Sequence, residues 1–115
     1  MEKYLEEVDY TQTEYRKVKI RGFKYNSVEY KVDEIVVYKP WLFGLVETGK
    51  GQVGVYKVSS QQKNQIALIK DYVDHYGNWH FYLVKMANTL KEMEEYLLRN
   101  PQYGVALMKF LMVNK

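Results

Sequence analysis

The chain has 115 residues, a formal net charge of +3 and no cysteine. Its 47% hydrophobic and 27% charged residues are ordinary globular usage, which excludes disorder driven by composition. Disulfides, thiolate zinc sites and cysteine nucleophiles are excluded as well, so a single domain of this length is expected to hold its core by packing alone.

Residues 2–9 read as an acidic helical turn or an arm, with Glu2, Glu6, Glu7 and Asp9 against Lys3. No apolar segment follows Met1. The longest apolar run, Val105 to Val113, is interrupted by Lys109 and falls far short of a membrane span. A soluble cytoplasmic protein without membrane contact is expected.

Residues 12–24 read as a strand. Alternation places Tyr15, Lys17, Lys19, Arg21, Phe23 and Tyr25 on one face, and Arg16, Val18, Ile20, Gly22 and Lys24 on the other. From Tyr15 to Lys31 the cations Arg16, Lys17, Lys19, Arg21, Lys24 and Lys31 stand against one anion, Glu29. Cations followed by rings on one sheet face suit single-stranded nucleic acid, because cations meet phosphates while rings stack on bases. Gly22 sets the condition. Glycine inside a strand often marks a bulge, and a bulge here would turn Phe23 and Tyr25 toward the core.

Asn26-Ser27 is a turn candidate. Val28, Tyr30 and Val32 then alternate with Glu29, Lys31 and Asp33, which predicts a half-buried strand. The apolar run Ile35 to Tyr38 suits a strand buried on both faces, with Asp33-Glu34 as a break or bulge before it. Lys39-Pro40-Trp41 is expected to end the pairing, since proline lacks a donor. Leu42 to Glu47 and Gln52 to Val58 flank Thr48-Gly49-Lys50-Gly51, which reads as a hairpin loop. The first half is thus an antiparallel meander.

Ser59 with Gln62 fits a capping box, and Ile66, Ile69, Val73 and Tyr76 recur at helical spacing. The spacing predicts a helix over 60–76, with Gly77 as the left-handed residue after its end. Trp79 to Lys85 reads as a central strand. Thr89 and Glu92 form a second capping box for a helix that buries Leu90, Met93 and Leu97, presents Glu92, Glu94 and Glu95 to solvent, and stops at Asn100-Pro101. Tyr103 to Val113 is read as a strand. The fold expected is α+β, an antiparallel sheet of four to five strands with two helices packed on one face. It allows a C-terminal strand-helix-strand unit.

Little in the chain points to catalysis. Asp71, His75 and His80 could be combined into a two-histidine, one-carboxylate site, but the spacing matches no ligand motif, so neither a metal nor another cofactor is expected. Gly49-Lys50-Gly51 with Gly54 lacks the phosphate-loop frame. Arg21-Gly22-Phe23-Lys24 matches the first three positions of the RNA-binding sheet signature and then departs from it. The 12 tyrosines, beside 4 phenylalanines and 2 tryptophans, fit a Tyr-rich β core or a binding surface. The expected function is a non-enzymatic binding module for nucleic acid, single-stranded by preference. Its contacts would be Lys17, Lys19, Arg21, Phe23, Lys24 and Tyr25, with Trp41 and Lys50. The alternative is a homo-oligomeric protein–protein adaptor or inhibitor, a homodimer or a binder of an acidic protein; a small metal-dependent nuclease is third.

Overall fold

A computed structural model of the chain describes residues 2–13, 17–41, 51–104, 107–108 and 111. The described residues form seven antiparallel strands: β1 (Lys3–Leu5), β2 (Val8–Thr13), β3 (Lys17–Tyr25), β4 (Val28–Trp41), β5 (Gly51–Ser59), β6 (Asn64–Val73) and β7 (Trp79–Ala87). One α-helix, α1 (Leu90–Arg99), and a 3-10 turn at Pro101–Tyr103 follow. The strand order is β1-β7-β6-β5-β4-β3-β2. The expected sheet of four to five strands with two helices is therefore corrected to a larger, curled half-barrel with one α-helix on its outside.

The curl follows from the N-terminal segment. β1 and β2 lie at opposite ends of the pairing order, yet only Glu6 and Glu7 separate them in sequence. One bent stretch of chain pairs with β7 through its first half and with β3 through its second. Residues 2–9 are thus mainly strand rather than a helical turn. Inside the curl, Leu5, Val18, Ile20, Phe23, Tyr56, Val58, Ala67, Ile69, Phe81 and Leu83 form one buried cluster. On the outer side, Val53, Val55, Ile66, Leu68, Val84 and Ala87 pack against Met93 and Leu97 of α1 and against Tyr103, Leu107 and Leu111.

These two clusters explain the largest correction. The segment expected as a helix over 60–76 is strand β6 and a hairpin turn. Ala67 and Ile69 point into the half-barrel while Ile66 and Leu68 point toward α1, so both faces are apolar and the two-residue period is hidden. Ser60, not Ser59, carries the local polar contact. Its hydroxyl accepts from the backbone N–H of Gln62 and Lys63 at 3.3 and 3.4 Å, turning β5 into β6 instead of capping a helix.

Other elements follow local chemistry. Asn26 and Ser27 both take positive φ, 51° and 62°, and join β3 to β4 in a two-residue hairpin. Asp33 is an extra residue between the pairs Val32–Val58 and Glu34–Lys57, a bulge where the acidic pair had suggested one. Pro40 does not end the pairing, since β4 stays in register with β5 to Trp41. Among the described residues, β4 pairs at that level with β5 and not with β3, an edge position where a missing N–H is tolerated. The segments expected over Leu42 to Glu47 and Thr48 to Lys50 lie outside the described residues.

Helix α1 begins at the N-cap Thr89 that the capping box predicts, with the return bond of Glu92 reaching one residue further back, to Asn88. Thr89 Oγ1 accepts from Glu92 N at 3.1 Å, and Glu92 Oε2 accepts from Asn88 N at 2.9 Å. Thr89→Ala is expected to lower stability by about 1 kcal/mol, read as a lower urea midpoint at unchanged slope. Glu94, expected on the solvated side, is instead buried. The C-terminal strand is also corrected: Leu107, Met108 and Leu111 are helical, and Tyr103, Leu107 and Leu111 recur every fourth residue against the outer cluster. Among the described residues, no strand follows α1 to complete a strand-helix-strand unit. Among the described residues, no helix is long and apolar enough to cross a membrane.

Candidate functional site

Strand β3 carries the bulge that Gly22 suggested. Asp9 pairs with Gly22 while Tyr10 pairs with Ile20, leaving Arg21 as the extra residue. The backbone at Gly22 also leaves no room for a side chain, because a Cβ there would stand 2.8 Å from the Tyr30 carbonyl oxygen. Beyond the bulge the inward set continues with Phe23 and Tyr25. Phe23 is 5% exposed and stacks on Tyr30 at 5.3 Å, with Tyr25 packed against the same cluster. Lys19, Arg21 and Lys24 remain exposed. The structure thus sets Lys19, Arg21 and Lys24 on the side of the sheet opposite the rings of Phe23 and Tyr25. Lys17 lies on β3 opposite Thr13, Trp41 ends β4 opposite Gly51, and Lys50 is outside the described residues.

Pairing with β2 also brings acids to the cations. Asp9 bonds Arg21 at 2.9 Å, and Glu7 stands 3.8 Å from Lys24. An open depression of about 600 Å³ over the bulge is lined by the carboxylates of Glu6, Glu7, Asp9 and Glu29 against the cations Arg21, Lys24 and Lys31. Four negative groups against three positive ones leave no net attraction for phosphate. Exposed pairs like these add little stability, but they cancel the field that the isolated strip would project.

A different set of rings faces outward. Paired residues share a face of the sheet, so the pairs Tyr4–Tyr82 and Tyr72–His80 place four aromatic side chains on the outer side of β1, β7 and β6. Tyr72 stacks on His80 at 5.0 Å and on Tyr82 at 6.1 Å, and Tyr4 meets Tyr82 edge-on at 5.2 Å. Tyr4 is 46% exposed. His80 is held from both sides, with Nε2 2.8 Å from Asp74 Oδ2 and Nδ1 3.3 Å from the Tyr4 hydroxyl. Asp74 is fixed in turn, because its Oδ1 accepts from the backbone N–H of Tyr76 and Asn78, both at 2.9 Å. The His80 hydrogen bond, helped by these amides, holds the Asp74 carboxyl below the usual range. Partial burial and a hydrogen bond with Tyr82 push Tyr72 up to about 12. Lys70 lies 5.1 Å over the Tyr82 ring and pairs with Glu2, which also accepts from the Tyr103 hydroxyl. Lys85 lies 5.5 Å over Tyr96.

A third group sits inside. Asp71 has no solvent exposure, and the Tyr38 hydroxyl lies 3.3 Å from its Oδ1 and 3.1 Å from its Oδ2. Burial pushes Asp71 up to about 7, against the lowering effect of the Tyr38 bond. Burial, reinforced by Asp71, raises Tyr38 well above the ordinary phenol range, and burial does the same for Tyr56. Gly54 makes this packing feasible, since a Cβ there would come within 2.8 Å of Tyr56 Oη and 2.9 Å of Tyr38 Cδ1.

Asp71, His75 and His80 do not converge. Asp71 points inward, His75 lies in the exposed turn and His80 is on the outer face. Among the described residues no three His, Asp or Glu side chains come together where they could hold a metal ion. The helix expected over 60–76 hides the inward alternation of β6 and the turn that follows it, so sequence reasoning missed both polar groups. Two signals carry them: the alternation Gln65, Ala67, Ile69, Asp71, Val73, and the turn Asp74-His75-Tyr76-Gly77-Asn78 with Gly77 at φ 85°. Comparison with protein-family models, with curated proteins and with solved structures finds no match to this chain.

Proposed function

We propose that the protein is a small non-enzymatic binding module for an anionic polymer, single-stranded nucleic acid first, and that the polymer lies across the outer face of β1, β7 and β6. The observation that carries this reading is the group Tyr4, Tyr82, Tyr72 and His80 on one side of the sheet, with Lys70 and Lys85 on that side too. Each base stacked on an aromatic ring contributes about 1–3 kcal/mol, so two or three ring contacts support useful affinity without a strongly positive surface. The cations of β3 then act at longer range, weakened by Asp9 and Glu7.

The test is titration of a fluorescent single-stranded oligonucleotide at several salt concentrations. Affinity is expected to fall as salt rises. Tyr72→Ala and Tyr82→Ala should each weaken binding roughly tenfold or more, as loss of one stacked base implies. Arg21→Ala should change it little. Absence of salt-sensitive binding, or dependence on Lys19 and Arg21 in place of the tyrosines, removes this reading.

The adaptor reading keeps one observation in its favour: among the described residues the sheet ends at β1 and β2, with β1 at one end beside the same tyrosines. A stable dimer at micromolar concentration without oligonucleotide binding would place a second copy on that face.

A further inference from the structure

His80 stands at the centre of a three-residue relay on the outer face. Its Nε2 lies 2.8 Å from Asp74 Oδ2, and its Nδ1 lies 3.3 Å from the Tyr4 hydroxyl. Asp74 accepts through Oδ1 from the backbone N–H of Tyr76 and Asn78, and its carboxyl is held below the usual range, so near neutrality it is a carboxylate that can only accept. In the neutral imidazole Nε2 must then carry the proton, and Nδ1 is left with a lone pair toward Tyr4. A hydroxyl beside a base that a third group orients is the arrangement of an activated nucleophile. Strand pairing assembles it: β1 lies beside β7, which brings Tyr4 to Tyr82 and within reach of His80.

We propose that Tyr4 is a covalent acceptor site for an acyl group, taken from an activated ester with a planar aromatic leaving group. The Tyr4 oxygen attacks the carbonyl carbon and forms the new ester bond. Its proton passes to His80 Nδ1, the bond to the aryl oxide breaks, and His80 returns the proton to the departing aryl oxide. Tyr4 is 46% exposed, so the carbonyl carbon can reach its hydroxyl. The contact with His80 is long for a hydrogen bond, as such contacts often are before the reactant binds. The ring of Tyr82 lies 5.2 Å from that of Tyr4 and is stacked with Tyr72, which gives the aromatic leaving group a surface beside the hydroxyl. Phosphoryl transfer calls for cations clamped on the transferred oxygens, whereas the charge in contact with His80 is the carboxylate of Asp74. An uncharged acyl carbon suits the relay better. Asp74 is a positioning residue: it fixes the tautomer and balances the imidazolium that forms. The modification is a single event without a catalytic cycle, and it does not require a bound polymer.

The experiment treats the full chain with p-nitrophenyl acetate at pH 7.5, follows nitrophenolate release and maps acetyl groups by peptide mass spectrometry. Exposure alone ranks Tyr76, 80% exposed, ahead of Tyr4 at 46%. The relay reverses that order, and Tyr4 is expected to be acetylated roughly a hundredfold faster than Tyr76. This comparison needs no variant. Hydroxylamine should remove the Tyr4 acetyl group, as it does from a phenyl ester and not from a lysine amide. His80→Gln should slow Tyr4 by roughly a hundredfold while keeping the wild-type circular dichroism. Asp74→Asn keeps a carbonyl for the Tyr76 and Asn78 amides, so the turn should hold, yet Tyr4 should slow by about tenfold or more. Asp74→Glu should recover part of that loss. The wild-type rate should fall in heavy water, since a proton moves during the attack, and this isotope effect should vanish in His80→Gln. Acetylation of Tyr76 at or above the Tyr4 rate, an unchanged Tyr4 rate in a folded His80→Gln, or acetyl groups confined to amines would each overturn the proposal.

Discussion

Phe23→Ala is expected to destabilise the fold by about 3–5 kcal/mol, the usual cost of removing a buried aromatic side chain and leaving part of its volume empty. A domain with a total stability of about 5–15 kcal/mol would lose a large share of it. The reason lies in the bulge. Arg21 is skipped in the pairing with β2, so Phe23 follows Ile20 on the inner face, stacks on Tyr30 and joins Val18 and Ile20 in the core. Lys19→Ala and Lys24→Ala, one residue or more away on the exposed side, should stay within about 0.5 kcal/mol. Urea unfolding of the three variants makes the comparison. If Phe23→Ala left the midpoint unchanged but weakened oligonucleotide binding, the ring would be a surface contact and the inward placement of Phe23 would be refuted.

That contrast shows which parts of the chain are readable from its residues. Gly22, Asn26-Ser27 and Thr89 with Glu92 each announce a local geometry that the structure contains, because a bulge, a left-handed turn and a capping box depend on a few neighbouring atoms. The consequence of the bulge was also legible as a condition: if it formed, the rings left the cationic face. Failure begins where burial is two-sided. In β6, Ile66 and Leu68 serve the outer cluster while Ala67 and Ile69 serve the inner one, and an apolar run of that kind fits a helix as well as a strand. Reading it as a helix hid the inward position of Asp71 and the turn that holds Asp74, so both polar groups were lost with it. Long-range pairing was hidden for a related reason. Glu7 and Asp9 neutralise Lys24 and Arg21 only because β2 folds back along β3, and Tyr4 reaches His80 only because β1 joins β7, 76 residues away in sequence.

Asp71→Asn is expected to reverse sign with pH, destabilising the protein at pH 4 and stabilising it at pH 8. Burial raises the folded-state value to about 7 from an ordinary 3.8. Between those values the folded protein binds more protons than the unfolded chain, so stability falls as pH rises through the window. Each unit of separation corresponds to about 1.4 kcal/mol, and three units give a loss on the order of 4 kcal/mol that is complete above pH 7. Asparagine does not titrate and removes this loss. Its carbonyl still accepts from Tyr38, but its amide brings a buried N–H to satisfy, at a cost of about 1–3 kcal/mol. At pH 4, where the wild-type acid has lost little, only that cost remains. At pH 8 the difference favours the variant by about 1–3 kcal/mol. Urea midpoints of both proteins at pH 4, 6 and 8 measure it, and the two curves should cross between the first and last of these. Parallel curves would mean that Asp71 titrates in the folded protein as it does in the unfolded chain, and that its carboxylate is solvated rather than sealed beneath Val73 and Phe81.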